Sequence, residues 1–281
     1  MTRDNSEQIA AWNEGASGAN WSAHQTRFAS VFAPLREAIV AFAQVKPGER
    51  VLDIGCGSGD LSTALARIAG PDCVTGVDIS APLLAQARRD NPGIDFIEAD
   101  ASTHDFAGKR FDLLASKLGI MFFADPDAAF SHLRDALSPA GRLVAATWRA
   151  ARDNDAAWIP FEVVRGLLPP LPPTDPEAPG PFSFGDRERV TRILSGAGFA
   201  DIEIRPFDFP MLFGIGEGRD AQLDDAVEMA FHLGPMRRLL DGQDDAVRTQ
   251  ACDRLRERFA DKLTPDGVVL NGAAWLITAR N

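Results

Sequence analysis

Between Glu49 and Trp148, short apolar and β-branched runs alternate with longer stretches whose apolar residues recur at helical spacing. This alternation is typical of repeated βαβ units, so it predicts an α/β fold with a mostly parallel sheet and helices on both faces. Pro139 and Gly141 follow the last helical stretch, because proline cannot continue a helix and glycine suits the turn beyond it. The predicted strands are 50–54, 74–78, 94–98, 111–116 and 142–148, and the predicted helices are 60–68, 81–89 and 128–137.

The regions on either side of this core follow other patterns. Apolar residues at helical spacing predict a helix over 25–45, which with the polar segment before it forms an N-terminal helical lid over 1–48. Seven of the 19 prolines lie within 169–181, so we expect a stiff, proline-rich cap loop over 149–185. A helix over 186–197, a strand over 201–209, a helical insertion over 214–265 and a last strand over 268–278 complete the α/β domain, which spans 49–281.

Composition and net charge exclude some classes of binding partner and some cellular locations. The chain has 281 residues, 45% apolar and 25% charged, and its formal net charge is −11. This charge repels phosphate backbones and no cluster of Lys and Arg offsets it, so nucleic acid is not an expected partner. No apolar run reaches about 18 residues and the first residues are polar, so we expect no membrane span, no signal peptide and a cytoplasmic location.

The cysteines and histidines offer no metal chemistry. Cys56, Cys73 and Cys252 are spaced too widely for a paired ligand motif or a disulfide framework. No cluster of histidines and carboxylates has the spacing of metal ligands. We therefore expect no metal.

Three glycines carry the first functional signal. The strand 50–54 runs into Gly55, Gly57 and Gly59 and then into a helix. Glycines let the backbone approach a ligand closely, and a helix start offers unpaired N–H groups. Asp78 ends the next strand about 20 residues later, where an acid typically meets ribose hydroxyls, and Asp100 follows the third strand. We expect a ribose-bearing ligand here, although a tight turn and capping or solvated acids remain alternatives for each feature alone.

These motifs together resemble those of the class I S-adenosylmethionine-dependent methyltransferases. VLDIGCGSG at 51–59 is similar to the family's first motif, and GVDI at 76–79 is similar to the second, which ends in an acid. The likeness continues in FDLLAS at 111–116 and LSPAGRL at 137–143 and covers 49–148, whereas the flanks match loosely. It implies a Rossmann-like, seven-stranded sheet, and it is strongest toward small-molecule enzymes of the ubiquinone and natural-product type.

The resemblance also implies S-adenosylmethionine as cofactor and S-adenosylhomocysteine as product. Asp53 would support the cofactor's ammonium and Asp78 would hold both ribose hydroxyls, while Ile79 and Asp100 would meet the adenine. Two tryptophans of the lid would close over the sulfonium, with packing of the lid as the rival explanation. The residues assigned to the cofactor are Trp12, Trp21, Asp53, Gly55, Cys56, Gly57, Asp78, Ile79, Asp100, Ala101 and Ser116.

Two other functions stay open at this point. A nicotinamide-dependent oxidoreductase would also use alternate glycines and a distant acid, but Asp60 stands where that fingerprint needs glycine or alanine. A non-catalytic protein that binds the cofactor and partners another enzyme would keep the same motifs. An intact cofactor motif favours the enzyme.

Methyl transfer is an in-line displacement, so the protein must align the reactants, exclude water and, for a protonated acceptor, remove one proton. His24 is the predicted base because it lies in the lid, with His132 and His232 as alternatives. Lys117 and Met121, just after the fourth strand, are the predicted acceptor-binding residues. Many apolar side chains in the cap regions favour a small aromatic, quinone-like or isoprenoid acceptor, while the acceptor atom and the oligomeric state stay open.

Overall fold

The computed structural model describes residues 4–108, 110–169 and 175–281, without the side chains of 16 and 17. Within this part of the chain, strands and helices alternate over residues 51–148, and helices dominate both flanks. The helices are α1 (Ser6–Asn13), α2 (Ala16–Val31), α3 (Ala33–Ala43), α4 (Asp60–Ala69), α5 (Ala81–Asp90), α6 (Pro126–Asp135), α7 (Asp155–Arg165), α8 (Arg187–Gly196), α9 (Arg219–Leu233), α10 (Met236–Leu239) and α11 (Asp245–Ala260). The strands are β1 (Val51–Ile54), β2 (Val74–Asp78), β3 (Asp95–Glu98), β4 (Phe111–Lys117), β5 (Leu137–Trp148), β6 (Ala200–Gly214), β7 (Leu263–Thr264) and β8 (Gly267–Arg280).

The strands form one mixed sheet in the order β3-β2-β1-β4-β5-β8-β6, and the two-residue β7 pairs with β8. Strands β1 to β5 run parallel, and β8 pairs antiparallel with both β5 and β6. The seven long strands confirm the predicted α/β, Rossmann-like fold. The strand order reverses between β1 and β4, and at such a switch point an open α/β sheet has its binding crevice beside the carboxyl ends of the strands.

The sheet is buried because helices cover both faces. All four residues of β1 are buried, and β4 buries five of its seven. Continuous burial is typical of parallel strands, which explains why these segments read as unbroken apolar runs. The core thus holds the ends of β1, β2 and β4 rigidly beneath the crevice.

Three predicted elements differ from the structure. The helix predicted over 25–45 is two helices, since α2 ends at Val31 and Pro34 opens the first turn of α3. The helix predicted over 128–137 starts earlier, at Pro126, where Asp125 Oδ1 accepts a hydrogen bond from the Ala128 N–H, and ends at Asp135. Its predicted end was wrong because Leu137 already pairs with Phe111 in the sheet.

The region predicted as a cap loop, 149–185, contains helix α7, which packs against α11 and β8. Proline content misled the prediction, since the prolines of 169–181 follow α7 and residues 170–174 of that segment lie outside the described part of the chain. Helices α9, α10 and α11 occupy the predicted insertion 214–265. They form, with α7, a helical cap over the carboxyl edge of the sheet.

Candidate functional site

A tight turn after β1 forms the floor of the crevice. The N–H groups of Gly55 and Cys56 both donate to the Val77 carbonyl, at 2.9 and 3.1 Å, which pulls the turn onto β2. Gly55 and Gly57 adopt φ values of +66° and +54°, a left-handed conformation that favours glycine. A Cβ atom on Gly55 would lie 2.8 Å from the Cα of Gly119 in the loop after β4. Only glycine fits where these two loops meet.

Asp78 anchors the same turn from the end of β2. Its Oδ2 accepts a hydrogen bond from the Gly57 N–H at 2.7 Å, and its Oδ1 accepts from the Ser80 N–H at 2.8 Å. Burial raises the pKa of this carboxyl, although both backbone bonds oppose the rise. Each oxygen keeps one lone pair, so Asp78 can still accept bonds from a ligand in the crevice.

Asp53 lies under the turn rather than in the crevice. Its carboxyl is 1% exposed, and its Oδ2 accepts from the Ser62 hydroxyl at 2.6 Å. No described residue donates to its Oδ1. Burial raises the pKa of Asp53 to about 7, since nothing near it compensates fully for lost water. A buried, unpaired carboxylate oxygen is costly unless a cation or donor approaches it.

Two asparagines of the lid fasten α1 over this edge of the sheet. Asn5 donates to Asp100 Oδ2 at 2.9 Å and accepts from the Ala124 N–H at 2.7 Å. Asn13 donates to the Ile79 carbonyl at 2.8 Å and accepts from the Ala81 N–H at 2.9 Å. The lid is therefore closed in this structure. Sequence reasoning missed both asparagines, because nothing in a polar helix marks which amide will meet a distant loop.

Aromatic side chains of the lid pack against one another beside the crevice. Trp12 lies edge-on to Trp21 and to Phe122, with ring centroids 6.0 and 5.7 Å apart. Trp21 in turn packs on Phe28, at 4.7 Å, and on Phe32. The two tryptophans thus line the crevice and pack the lid at once, while their contact with a sulfonium stays a prediction.

The crevice opens into a cavity of about 1490 Å³ that extends from the β1 turn to the helical cap. Eleven predicted site residues line it, and three (His24, Asp53 and Ser116) do not. We call its far part the cap compartment, which is lined by Trp158, Phe161, Val164, Leu168, Phe231 and Leu239. The predicted site residues that line the cavity are Trp12, Trp21, Gly55, Cys56, Gly57, Asp78, Ile79, Asp100, Ala101, Lys117 and Met121.

The side chains of Ser116 and Lys117 are both bonded to other protein groups. The Ser116 hydroxyl is fully buried and donates to the Ile54 carbonyl at 2.7 Å, which places it behind the Gly55 turn. The Lys117 ammonium is bonded to Asp60 Oδ2, and Arg36 binds the other oxygen at 2.8 Å. Although burial acts to raise it, these two cations hold the pKa of Asp60 below its usual value. Lys117 therefore presents no free charge to the cavity.

His24 lies one layer behind the cavity, in ring contact with His232. The two ring centroids are 3.7 Å apart, and His232 lines the cavity. Asn20 donates to the His232 carbonyl at 2.7 Å, so its Oδ1 accepts from the His232 Nδ1–H at 2.8 Å. This assigns the proton of neutral His232 to Nδ1 and a lone pair to Nε2, which lies 3.7 Å from Glu228 Oε1. Burial, and then His24, hold the pKa of His232 below its usual value.

The described residues form neither a cluster of metal ligands nor a membrane-spanning helix. No group of three or more His, Cys, Asp or Glu residues there could hold a metal ion. No helix among them is long and apolar enough to cross a membrane.

Comparison with known proteins assigns the family. Residues 51–141 match the model of the methyltransferase domain. The chain is 32% identical over 183 residues to aklanonic acid methyltransferase DauC of a Streptomyces species, covering 60% of this chain and 83% of that protein. It is 36% identical over 250 residues to an uncharacterized protein of Mycobacterium tuberculosis, covering 85% and 84%. It is 26% identical to a demethylmenaquinone methyltransferase of Renibacterium salmoninarum, covering 60% and 74%.

Solved structures show the same fold. A phosphoethanolamine N-methyltransferase of Haemonchus contortus, in complex with S-adenosylhomocysteine, aligns with a TM-score of 0.57 and 17% identity, covering 97% of this chain and 59% of that one. The crystal structure of a Bacillus halodurans protein aligns with a TM-score of 0.54 and 19% identity, covering 87% of this chain and 97% of that one. The chain belongs to the class I S-adenosylmethionine-dependent methyltransferases. It is an S-adenosylmethionine-dependent methyltransferase, which excludes the nicotinamide-dependent alternative.

The site fits the cofactor of this family. The glycine turn leaves backbone open to the cavity, and Asp78 offers two adjacent acceptors suited to a pair of hydroxyls. The unpaired Oδ1 of Asp53 lies beneath the turn, where a cationic amine would relieve its desolvation. The sequence could indicate these residues as cofactor-binding candidates because each occupies a fixed place at the end of β1 or β2.

Proposed function

We propose that the protein transfers a methyl group from S-adenosylmethionine to a small organic acceptor with an apolar or aromatic body. The observation that carries this proposal is the single continuous cavity. Its volume of about 1490 Å³ exceeds the roughly 300 to 1000 Å³ of a typical site for one ligand. It therefore has room for the cofactor at the glycine turn and a second molecule in the cap compartment.

Residues at the ends of β1, β2 and β3 would bind the cofactor. Asp78 would hold the ribose hydroxyls, and Ile79 and Ala101 would contact the adenine. Asp100 would accept from the adenine amine with the one lone pair that Asn5 leaves free on Oδ2, since Ser102 occupies Oδ1 with two hydrogen bonds. Asp53 would support the ammonium from below. The cofactor supplies an electrophilic methyl group on a cationic sulfur, and the ring of Trp12 would face that charge.

For a protonated acceptor, His232 is the base we propose. Its Nε2 carries a lone pair and its depressed pKa keeps it neutral at physiological pH. His24, the base expected from the sequence, packs on the His232 ring and Asn20 sets its tautomer, so both act as positioning residues. Lys117, paired with Asp60, would shape the junction between the two parts of the cavity, and Met121 would contact the acceptor.

Three further observations support a small-molecule acceptor and a cytoplasmic location. Two relatives carry names of small organic acceptors, aklanonic acid and demethylmenaquinone. The net charge of −11 opposes a nucleic acid. All three cysteines are free thiols, which supports our proposal of a cytoplasmic location, where thiols stay reduced.

The test is turnover on a panel of hydroxylated naphthoquinols, anthraquinones, phenolic acids and prenylated phenols, read by release of S-adenosylhomocysteine. Asp78→Asn should lose activity throughout the panel, and Glu7→Ala, on the exposed face of the lid, should retain it. Cofactor binding without turnover on any member would support the non-catalytic alternative instead. Failure to bind S-adenosylmethionine would contradict the proposal altogether.

A further inference from the structure

The cap compartment combines apolar walls with unpaired positive charge. Four basic residues line the cavity, namely Lys117, Arg165, Arg237 and Arg238. Lys117 is paired with Asp60. None of the ion pairs found among the described residues involves any of the three arginines. Their charges are therefore available to a ligand.

The acidic groups of the cavity lie almost entirely at its other end. Asp60 is bound by Lys117 and Arg36, while Asp78 and Asp100 lie at the ends of β2 and β3 and accept hydrogen bonds from protein donors. Asp241 is the acid that lines the cavity beside the cap helices. Three arginines and one aspartate thus set the local charge, in a chain whose net charge is −11. This local reversal of sign favours an anion.

The arginines stand on helices that pack together. Arg165 lies in the last turn of α7, and Arg237 and Arg238 lie on α10, which packs against α7. Arg237 Nη2 lies 3.4 Å from Asn20 Oδ1, so this guanidinium reaches toward the residue that orients His232. All three arginines are exposed to solvent although they line the cavity, so a ligand can reach them from outside.

We infer that the methyl acceptor is an organic anion whose apolar body fills the cap compartment while its carboxylate or other acidic group binds Arg165, Arg237 and Arg238. Guanidinium groups suit this role because their planar forks match a carboxylate with two parallel hydrogen bonds. The charges also steer an anion to the opening of an otherwise acidic protein. The inference rests on the proposed function and adds the charge of its substrate.

The test compares two probes that differ only in charge, hydroxynaphthoic acid and the corresponding hydroxynaphthamide. Their binding is measured by calorimetry on the full chain saturated with S-adenosylhomocysteine. We expect the acid to bind at least about tenfold more tightly than the amide, and the difference to shrink as salt rises. In the double variant Arg237→Met/Arg238→Met, the affinity for the acid should fall about tenfold, while the affinity for the amide should stay unchanged. Arg187→Met, an exposed arginine outside the cavity, is the matched control.

Equal affinity for acid and amide in the wild-type protein overturns the inference, and so does binding of neither probe. That comparison needs no variant, so a folding defect cannot obscure it. The proposed function is judged separately, by binding of S-adenosylhomocysteine itself. Cofactor binding without any preference for the acid removes the inference and leaves the methyltransferase proposal standing, whereas loss of cofactor binding removes the proposal.

Discussion

Gly55 and Gly119 meet backbone to backbone where the loops after β1 and β4 cross. A Cβ atom on Gly119 would lie 2.9 Å from the Cα of Gly55 and 2.6 Å from the Ile54 carbonyl oxygen. Neither neighbour is a flexible side chain that could move aside. The contact thus couples the floor of the proposed cofactor site to the loop after β4, where we propose that the acceptor binds.

We expect Gly119→Ala to distort this floor. The substitution should cost about 1 to 3 kcal/mol of unfolding free energy and weaken S-adenosylhomocysteine binding by at least about tenfold, because backbone must shift. Gly119 has φ near −92°, so conformational strain in the substituted residue plays no part. Urea unfolding and calorimetry measure the two effects. Gly93→Ala, whose Cβ would make an ordinary 3.4 Å contact with Pro71, is the control, and equal behaviour of the two variants would contradict the prediction.

Asp53 makes the stability of the cofactor-free protein depend on pH. Its pKa rises from 3.8 in the unfolded chain to about 7 in the fold, so between these values the native state holds a proton that the unfolded state has lost. Unfolding free energy from this group therefore falls as pH rises from about 4 to 7, by on the order of 2 to 4 kcal/mol.

Asp53→Asn should remove this dependence while keeping an acceptor for the Ser62 hydroxyl. Asp60, whose pKa is lowered, acts in the opposite sense, and Asp78, whose pKa is raised, acts in the same sense. The quantity to measure is therefore the difference in unfolding free energy between wild type and variant across the pH range. That difference should shift in favour of the variant as pH increases. A difference that stays constant from pH 4 to 7 would show that Asp53 titrates normally.

His232→Gln should lower turnover on a protonated acceptor by about two orders of magnitude and leave S-adenosylhomocysteine affinity unchanged. Because its pKa is depressed, the acid limb of the wild-type kcat/KM profile should have its midpoint below 6.5, the ordinary value. Asn20→Ala should shift that limb rather than abolish activity, since Asn20 acts through the imidazole. His104→Gln, on a loop outside the cavity, serves as control, and an unaltered rate in His232→Gln would exclude it as the base.

Asn5→Ala should release the lid. The variant loses two hydrogen bonds, to Asp100 and to Ala124, each worth about 1 kcal/mol. We expect weaker cofactor binding and faster proteolysis before residue 30, with the remaining domain stable. Glu7→Ala, an exposed position on the same helix, should show neither effect. If protease sensitivity is identical in both variants, Asn5 does not fasten the lid.

The sheet, the glycine turn and the acids at the ends of β1 to β3 could be predicted from the amino-acid sequence. These features depend on local chemistry: apolar runs make buried parallel strands, and a ligand-binding turn needs glycine at fixed positions after the first of them. Asp78 could be assigned because it lies one strand away, within a single βαβ unit. The end of α6 could not, because pairing of Leu137 with Phe111 overrode a helical pattern.

The tertiary structure alone decided what surrounds that turn. His24 carried the expected imidazole, but packing placed His232, more than 200 residues further along the chain, between it and the cavity. Asn5 meets Asp100, and the packing of α10 on α7 brings Arg165, Arg237 and Arg238 to the same cavity, without any local pattern to mark them. Such contacts between distant segments depend on how the helical cap and the lid settle on the sheet. A periodic pattern fixes which face of a helix is buried, but the partner that the polar face meets is set only when the whole chain packs.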